Sequence, residues 1–381
     1  MSRAFDTLRF MQMNPSSQPF NRFIPGLVLK FIVIFSLATL SIFTFSPIKA
    51  QASVDCNAQP AAHRSFHGCD WSNNGLQELS GDLTGIDLSG ANLTGKKFRY
   101  TTLRNANLSN ANLSSTEFDH VNFEGANLTG SNLSHANIWW STLNGATITG
   151  SMFNVDEFTR NSSGGMKGSP SSTDSRWKVV NGYFFGQGCY VAGANIKGAD
   201  LSQLDLSFTS SGAVKGPAKK LPKGWNLIGG YLVGPGADLT GASLGGLNLR
   251  QATLQGVYSG GIKGKPLALP ASWKLIGGYL LGPGASLPYA SLGGLNLTRV
   301  DLTGAFMYGA SLHGSNLTNA ILVRTDLRSA NLSSARIVGS NLFGVLLENA
   351  ILTGVVSSSI SGTPGTLPNG WTLNGGKLSH L

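Results

Sequence analysis

A bulky apolar residue recurs at every fifth position from Leu83 to Phe158, sixteen times without a break. A period of five matches neither the 3.6-residue period of a helix nor the two-residue period of a strand. It suits a chain that turns a corner every five residues. Within each five-residue unit, positions two apart point to the same side. The bulky residue and the residue two places before it therefore face a common axis, and that earlier residue is usually small, as at Ala91, Ala106, Ala111, Ala126, Ala136 and Ala146.

The three other positions of each unit face solvent and are mostly Asn, Asp, Ser, Thr or Gly, which suit turns. This pattern, which fits A(D/N)LXX over most of residues 81–356, resembles that of the pentapeptide-repeat family. The resemblance implies an all-β fold, a right-handed quadrilateral parallel β-solenoid with four pentads to a coil. Coils of such a solenoid stack at about 4.8 Å, and stability is mostly nearest-neighbour. The family resemblance implies no particular chemistry.

A second repeat of 48 residues interrupts the first. Trp177, Trp225 and Trp273 each begin a short apolar segment that ends in Gly and Tyr. Each 48-residue unit holds four pentads and a 28-residue excursion, which we interpret as a two-stranded arm. The excursions follow multiples of four pentads, so they should leave from one side of the solenoid. We expect them to stack as a side sheet, with one ladder of tryptophans and another of tyrosines (Tyr183, Tyr231 and Tyr279). We interpret these rings as the core of the arms, buried against the solenoid wall.

A fourth excursion, from Ile360 to Lys377, follows a number of pentads that is not a multiple of four. It should therefore leave from the opposite side, as a C-terminal cap or as an edge that docks a second copy to form a homodimer. The resulting division is signal peptide 1–52, N-terminal cap 53–80, first solenoid 81–160, insert-bearing coils 161–286, second solenoid 287–356 and C-terminal arm 357–381.

The N-terminal segment is typical of a secretory signal peptide. Basic residues precede an apolar run at 31–45, and Ala50-Gln51-Ala52 follows as a cleavage signature. The alternative is an uncleaved anchor, although the run is shorter than the ~20 residues that a span needs. The full sequence has 28 Lys and Arg residues against 18 Asp and Glu residues, and cleavage would leave 23 against 17, a net charge of +6. We expect no transmembrane span after cleavage. We therefore expect an exported protein (periplasmic, lumenal, cell-surface or secreted) from a bacterial host.

Export favours a disulfide between Cys56 and Cys69, which would hold the N-terminal cap over the first coil. Because His63 and His67 lie between these cysteines, a zinc site is the alternative. Cys189 has no evident partner.

Two surface features are candidate binding sites. At twenty-residue spacing, Tyr100, His120, Trp140 and Arg160 share a corner of the solenoid, and Trp139 adjoins them. Trp139, Trp140 and Arg160 could bind a sugar or a protein, with Arg160 stacked on Trp140; alternatively, the rings only shield the corner.

The second feature is a set of lysines on the arms, comprising the equivalent residues Lys167, Lys215 and Lys263 and the cluster Lys219, Lys220 and Lys223. Stacked arms would bring like charges within about one Debye length. An anionic polymer, glycan or lipid headgroup would relieve this repulsion; alternatively, the side chains splay into solvent.

No spacing of Ser, His, Asp or Glu in the sequence indicates a catalytic set, a cofactor or a metal centre beyond the zinc alternative above. We interpret the chain as a non-catalytic structural or binding scaffold whose partner is a protein, a glycan or an anionic envelope polymer. The alternative implied by the resemblance is a DNA mimic that regulates gyrase, but such proteins are acidic and cytoplasmic. The export signal and positive charge oppose that alternative and binding to nucleic acid. An unrecognised enzyme is the third hypothesis.

Overall fold

The computed structural model describes residues 54–73, 75 and 77–381, which belong to one compact unit spanning Ser53–Leu381. The predicted signal peptide lies outside the described residues. The strands in this part of the chain are β1 Glu78–Asp82, β2 Lys97–Thr102, β3 Glu117–Asp119, β4 Asn137–Trp139, β5 Met152–Phe153, β6 Glu157–Thr159, β7 Ser172–Thr173, β8 Lys178–Val180, β9 Tyr183–Phe185, β10 Asn226–Ile228, β11 Tyr231–Val233, β12 Lys274–Ile276, β13 Tyr279–Leu281, β14 Trp371–Asn374 and β15 Lys377–His380.

The five-residue pattern builds a four-sided parallel β-solenoid. One side is a parallel sheet in the order β1-β2-β3-β4-β6, with partners such as Phe118 and Ile138 twenty residues apart. The other sides are mainly ladders of single-residue bridges, most of them at the same twenty-residue offset. Leu83 and Leu103 donate backbone hydrogen bonds of 2.8 Å to Thr102 and Asn122 in the next coil. The bulky residues therefore lie one above another in a buried column, as the sequence predicts.

Each of the four excursions contains an antiparallel β-hairpin: β8 with β9, β10 with β11, β12 with β13, and β14 with β15. The turns are Asn181-Gly182, Gly229-Gly230, Gly277-Gly278 and Gly375-Gly376, all with positive φ. Two-residue hairpin turns of this geometry favour Asn-Gly and Gly-Gly because both central residues are left-handed.

The hairpins do not form the expected side sheet. Each pairs only with itself, and the first three each lie between two successive coils. The ring of Phe184 in β9 lies 5.0 Å from that of Phe153 and 4.8 Å from that of Phe158, both centres of the coil below. Tyr231 in β11 packs over Gly212 of one coil, and its hydroxyl accepts a 2.9 Å hydrogen bond from the Ser243 N–H of the next. The expectation of a side sheet was wrong, because these hairpins carry large apolar side chains that are buried against the coils above and below them.

The rest of each excursion is an ordinary coil. Lys215 bridges Asn195 and Lys220 bridges Asp200, both at the twenty-residue offset. Lys167 and Lys263 bridge Thr147 and Ser243 in the same way. The lysines that the sequence placed on arms therefore lie on the coil walls.

The hairpins separate the coils on some sides of the solenoid but not on all. Ser162 bridges Tyr190, Ser210 bridges Asp238, and Tyr258 bridges Ser286, each pair 28 residues apart. We call the side that carries these six residues the direct face, because there coil contacts coil. On the next side, the Val214 N–H donates a 3.0 Å hydrogen bond to Gly230 of the hairpin turn. Each of the first three hairpins thus adds about one 4.8 Å strand layer away from the direct face.

The fourth hairpin closes the last coil from the opposite side. The Ile360 N–H donates a 3.0 Å hydrogen bond to the Gly376 carbonyl, just as the Val214 N–H donates to the Gly230 carbonyl. Ser361 is the equivalent of Lys263 in the third excursion. It continues the ladder of Ile321 and Asn341, whereas Lys263 lies in a ladder two sides away around the solenoid. The fourth hairpin therefore leaves from the side opposite to the other three, as the number of preceding pentads predicts.

The N-terminal cap covers the other end of the coil stack. A disulfide joins Cys56 to Cys69, with a Cα–Cα distance of 5.5 Å. The Trp71 indole N–H donates a 2.9 Å hydrogen bond to the Cys56 carbonyl, and Phe66 packs edge-on against Trp71. Because both sulfurs are in the disulfide, neither is available as a zinc thiolate.

Candidate aromatic groove on the direct face

A stack of side chains runs along the corner that leads into the direct face. The Tyr100 ring lies 4.8 Å from the His120 ring, which in turn lies 5.8 Å from the Trp140 ring. The Arg160 guanidinium follows, 4.5 Å from the Trp140 ring. The twenty-residue spacing places these groups one coil apart, and parallel rings at this separation attract one another.

The stack stops at Gly188, the next residue of the corner column. The Arg160 N–H donates to the Gly188 carbonyl at 2.9 Å, and the column then continues to Phe208. The missing side chain opens a groove of about 500 Å³. Its lining comprises Trp140, Thr159, Arg160, Gln187, Gly188, Cys189, Tyr190, Phe208, Ser210, Asp238 and Tyr258. We call this cavity the aromatic groove.

The corner position strains every side chain placed there. Tyr100, Trp140, Arg160 and Phe208 have φ between 48° and 59°, a left-handed conformation that costs about 1–2 kcal/mol for an L-residue. Glycine occupies other places in this column, such as Gly236, without that cost. Yet the Tyr100 side chain is 70% exposed and the Trp140 side chain 52%. Bulky, exposed groups are therefore held together at a position that favours glycine.

The aromatic groove combines aromatic surface with one positive and one negative side chain. Phe208 and Tyr258 pack 5.1 Å apart at its upper end, and Tyr190 is exposed on its back wall. No Asp or Glu of the described chain forms an ion pair with Arg160. The half-buried Asp238 carboxylate accepts a hydrogen bond from the Thr240 N–H. Both charges are thus available to a ligand that offers an anion and hydroxyl donors.

The remaining predicted site residues lie elsewhere. Trp139 is half-buried on the adjoining wall, and its indole N–H donates to Glu157; it does not line the aromatic groove. The predicted lysines are all exposed on walls beyond the direct face: Lys167, Lys215, Lys219, Lys220, Lys223 and Lys263.

Asp200 lies beside part of this lysine set. Hydrogen bonds from Ser202 hold the pKa of Asp200 below its ordinary value, with smaller contributions from Lys220 and Lys219. The lysines are therefore a separate surface with an acidic neighbour.

Sequence reasoning missed Tyr190, Phe208, Asp238 and Tyr258. Where a hairpin intervenes, neighbouring residues of one column are 28 rather than twenty residues apart. Columns counted at a constant twenty-residue spacing from Tyr100 therefore do not reach these four residues. Phe208 carried a usable signal, because it stands two places after the pentad centre Leu206, as Trp140 stands after Ile138.

Other chemistry is sparse in this part of the chain. Within the described residues, no three His, Cys, Asp or Glu side chains are grouped so as to hold a metal ion. Cys189 is buried behind the aromatic groove, and desolvation raises the pKa of its thiol far above the ordinary value. Over the same residues, no helix has the length and apolar character needed to cross a bilayer.

Fold and site together define a solenoid of five-residue repeats with a lateral groove. A family model, pentapeptide repeats, matches the chain in eight copies within residues 82–119, 111–150, 236–257, 284–314 and 310–349. The chain belongs to the pentapeptide-repeat family. No curated protein shows significant sequence similarity to it.

Solved structures of pentapeptide-repeat proteins are also similar to the chain. HetL of the cyanobacterium Nostoc sp. strain PCC 7120, involved in heterocyst differentiation regulation, is 20% identical, with 78% of this chain and 90% of HetL covered and a TM-score of 0.23. QnrB1, a plasmid-mediated fluoroquinolone resistance protein, is 13% identical, with 77% and 89% covered and a TM-score of 0.21. A protein of the Arabidopsis thaliana thylakoid lumen is 26% identical, with 18% and 59% covered and a TM-score of 0.08. At these TM-scores the superpositions add nothing to the assignment of the site.

Proposed function

We propose that the chain is an exported, non-catalytic scaffold that binds a partner outside the cytoplasm through the aromatic groove. The partner classes are a protein, a glycan or an anionic envelope polymer. The observation that carries this proposal is the groove itself, where strained, exposed side chains surround a gap at Gly188. A solenoid held together by coil-to-coil contacts is a rigid support for such a surface.

Export is supported by the covalent link in the cap. Disulfides persist in oxidising compartments and are rare in the cytoplasm, and Cys56 and Cys69 are joined. The link agrees with the signal-peptide pattern of residues 1–52.

A binding role without catalysis is supported by the composition of the groove. Its lining holds one carboxylate, Asp238, and one strong cation, Arg160, but neither a histidine nor a second carboxylate. General acid–base or nucleophilic catalysis needs paired groups within hydrogen-bonding reach. The DNA-mimic alternative needs an acidic surface, whereas the chain carries a net charge of +10.

The proposal is tested with an array of glycans, anionic lipids and envelope polymers probed with the full-length chain. Two variants separate the two candidate surfaces: Gly188→Tyr, which fills the groove, and the quadruple alanine variant of Lys215, Lys219, Lys220 and Lys223. We expect Gly188→Tyr to lose array binding and the lysine variant to keep it. Array binding that both variants retain in full would refute a role for the groove, and loss only in the lysine variant would move the site to the coil wall.

A further inference from the structure

The aromatic groove has the dimensions and charges of a site for one kind of ligand. We infer that it binds an acidic saccharide, with a carboxylate-bearing pyranose ring seated over Gly188 between Arg160 and Phe208. This inference rests on the proposed function and names the ligand class of the same site.

The height of the gap excludes a good fit to a flat ring. Arg160 and Phe208 belong to coils two layers apart, so the gap spans about 9.6 Å, twice the ~4.8 Å strand spacing. A flat aromatic ring in contact on both faces fills only ~7 Å, twice the ~3.5 Å contact distance. Both flanking side chains also turn away from the gap, Arg160 onto Trp140 and Phe208 towards Tyr258. A puckered saturated ring with hydrogens on both faces is thicker and fills this space better.

The polar groups match a sugar acid. Arg160 lies on one face of the gap with no acidic partner among the described residues. Its planar guanidinium is suited to the two oxygens of a carboxylate. The Asp238 carboxylate, the Ser210 hydroxyl and the Gln187 amide line the same cavity and can bond sugar hydroxyls. The apolar faces of the ring would contact Phe208 and Tyr190, as aromatic side chains bury apolar surface efficiently.

Gly188 leaves the gap open although the fold accepts larger residues there. Arg160 and Phe208 occupy the same column with φ of 56° and 59°. A Cβ atom at Gly188 would meet Thr159 at 3.5 Å, which is ordinary contact. A tyrosine at position 188 can therefore extend the corner stack and fill the space that a sugar ring would occupy.

Isothermal titration calorimetry of the full-length chain with a hexuronate trisaccharide and a neutral hexose trisaccharide tests the inference. We expect the wild-type chain to bind the hexuronate at least about tenfold more tightly than the neutral sugar, since a charged hydrogen bond contributes ~1.5–3 kcal/mol. Arg160→Gln should remove that preference, and Gly188→Tyr should abolish binding of both sugars.

Matched control variants lie outside the groove. Arg299→Gln removes an exposed arginine at another left-handed corner, with φ of 53°. Gly304→Tyr adds a tyrosine to the same corner column, where a Cβ meets no atom within 4 Å. Both should bind the hexuronate as the wild type does.

Three results would overturn the inference: no hexuronate binding by the wild type, equal affinity for the two sugars, or unchanged hexuronate binding by Gly188→Tyr. If the array shows groove-dependent binding of a different ligand class, the saccharide assignment fails and the scaffold proposal stands. If no ligand on the array depends on the groove, both fail.

Discussion

At the residue scale, the five-residue unit depends on side chains that stabilise a tight corner. Where an Asp or Asn precedes a centre, its side chain often accepts a hydrogen bond from the backbone two residues later, as Asp82 does from Thr84 at 2.9 Å. Such turns are the reason these residue types dominate the solvent-facing positions. Hydrogen bonds from Thr84 hold the pKa of Asp82 below its ordinary value. Corner chemistry therefore makes part of the fold dependent on ionised carboxylates.

Asp326 gives the clearest test of that dependence. Its side chain is 14% exposed, and its carboxylate accepts two hydrogen bonds from the Arg328 side chain. These hydrogen bonds hold the pKa of Asp326 below its ordinary value, although burial acts in the opposite direction. A carboxylate with a lowered folded-state pKa stabilises the protein above its unfolded pKa of about 3.9 and loses that contribution as pH falls through the folded value. We expect Asp326→Asn to cost about 1 kcal/mol at pH 7.

Urea unfolding of the wild type and Asp326→Asn at pH 7 and at pH 2.5 measures this cost. The deficit of the variant should shrink at the lower pH. An equal deficit at both pH values would show that Asp326 acts through packing rather than charge.

At the element scale, the hairpins are part of the core. Phe184 is buried between coils, whereas Phe208 is 44% exposed at the groove. Phe184→Ala should therefore cost about 3–5 kcal/mol of unfolding free energy, the range for buried phenylalanines. Phe208→Ala, the matched control, should cost less than about 1 kcal/mol. Chemical denaturation measures both unfolding free energies. A small loss for Phe184→Ala would show that this hairpin is not buried between coils.

The cap is the second element with a measurable contribution. The disulfide between Cys56 and Cys69 closes a 13-residue separation, for which chain entropy gives about 3 kcal/mol. Reduction with dithiothreitol, or the double serine variant, should lower the melting temperature. The effect should also appear as faster amide exchange at Trp71 and Leu79, the buried residues beneath the first coil. Exchange that is unchanged after reduction would show that packing alone holds the cap.

At the scale of the whole solenoid, the sequence predicts its regular part and fails at its interruptions. The column through Leu83, Leu103 and Phe123 follows from the five-residue period together with the four pentads to a coil that the family resemblance implies. The hairpin strands also follow, because Asn-Gly and Gly-Gly turns separate apolar segments. Whether a hairpin projects outward or lies between coils does not follow, since both paths use the same 28 residues.

The part of the aromatic groove that lies in the regular repeat was predictable from the sequence, and the part that depends on the hairpins was not. Trp140 and Arg160 lie in a strict twenty-residue column and were found together. Asp238 and Tyr258 reach the direct face only through 28-residue steps, so their approach depends on where the hairpins lie.

The central claim is that each of the first three hairpins separates two coils on other sides of the solenoid but not on the direct face. Two double-cysteine variants with the same 28-residue separation test it: Ser210→Cys with Asp238→Cys, and Lys215→Cys with Ser243→Cys. The first pair is bridged directly, so it should form a disulfide on mild oxidation. The second pair lies about two strand layers apart, ~9.6 Å, beyond the ~7 Å limit for a disulfide. Peptide mapping that finds only the first disulfide supports the account, and equal formation of both would contradict it.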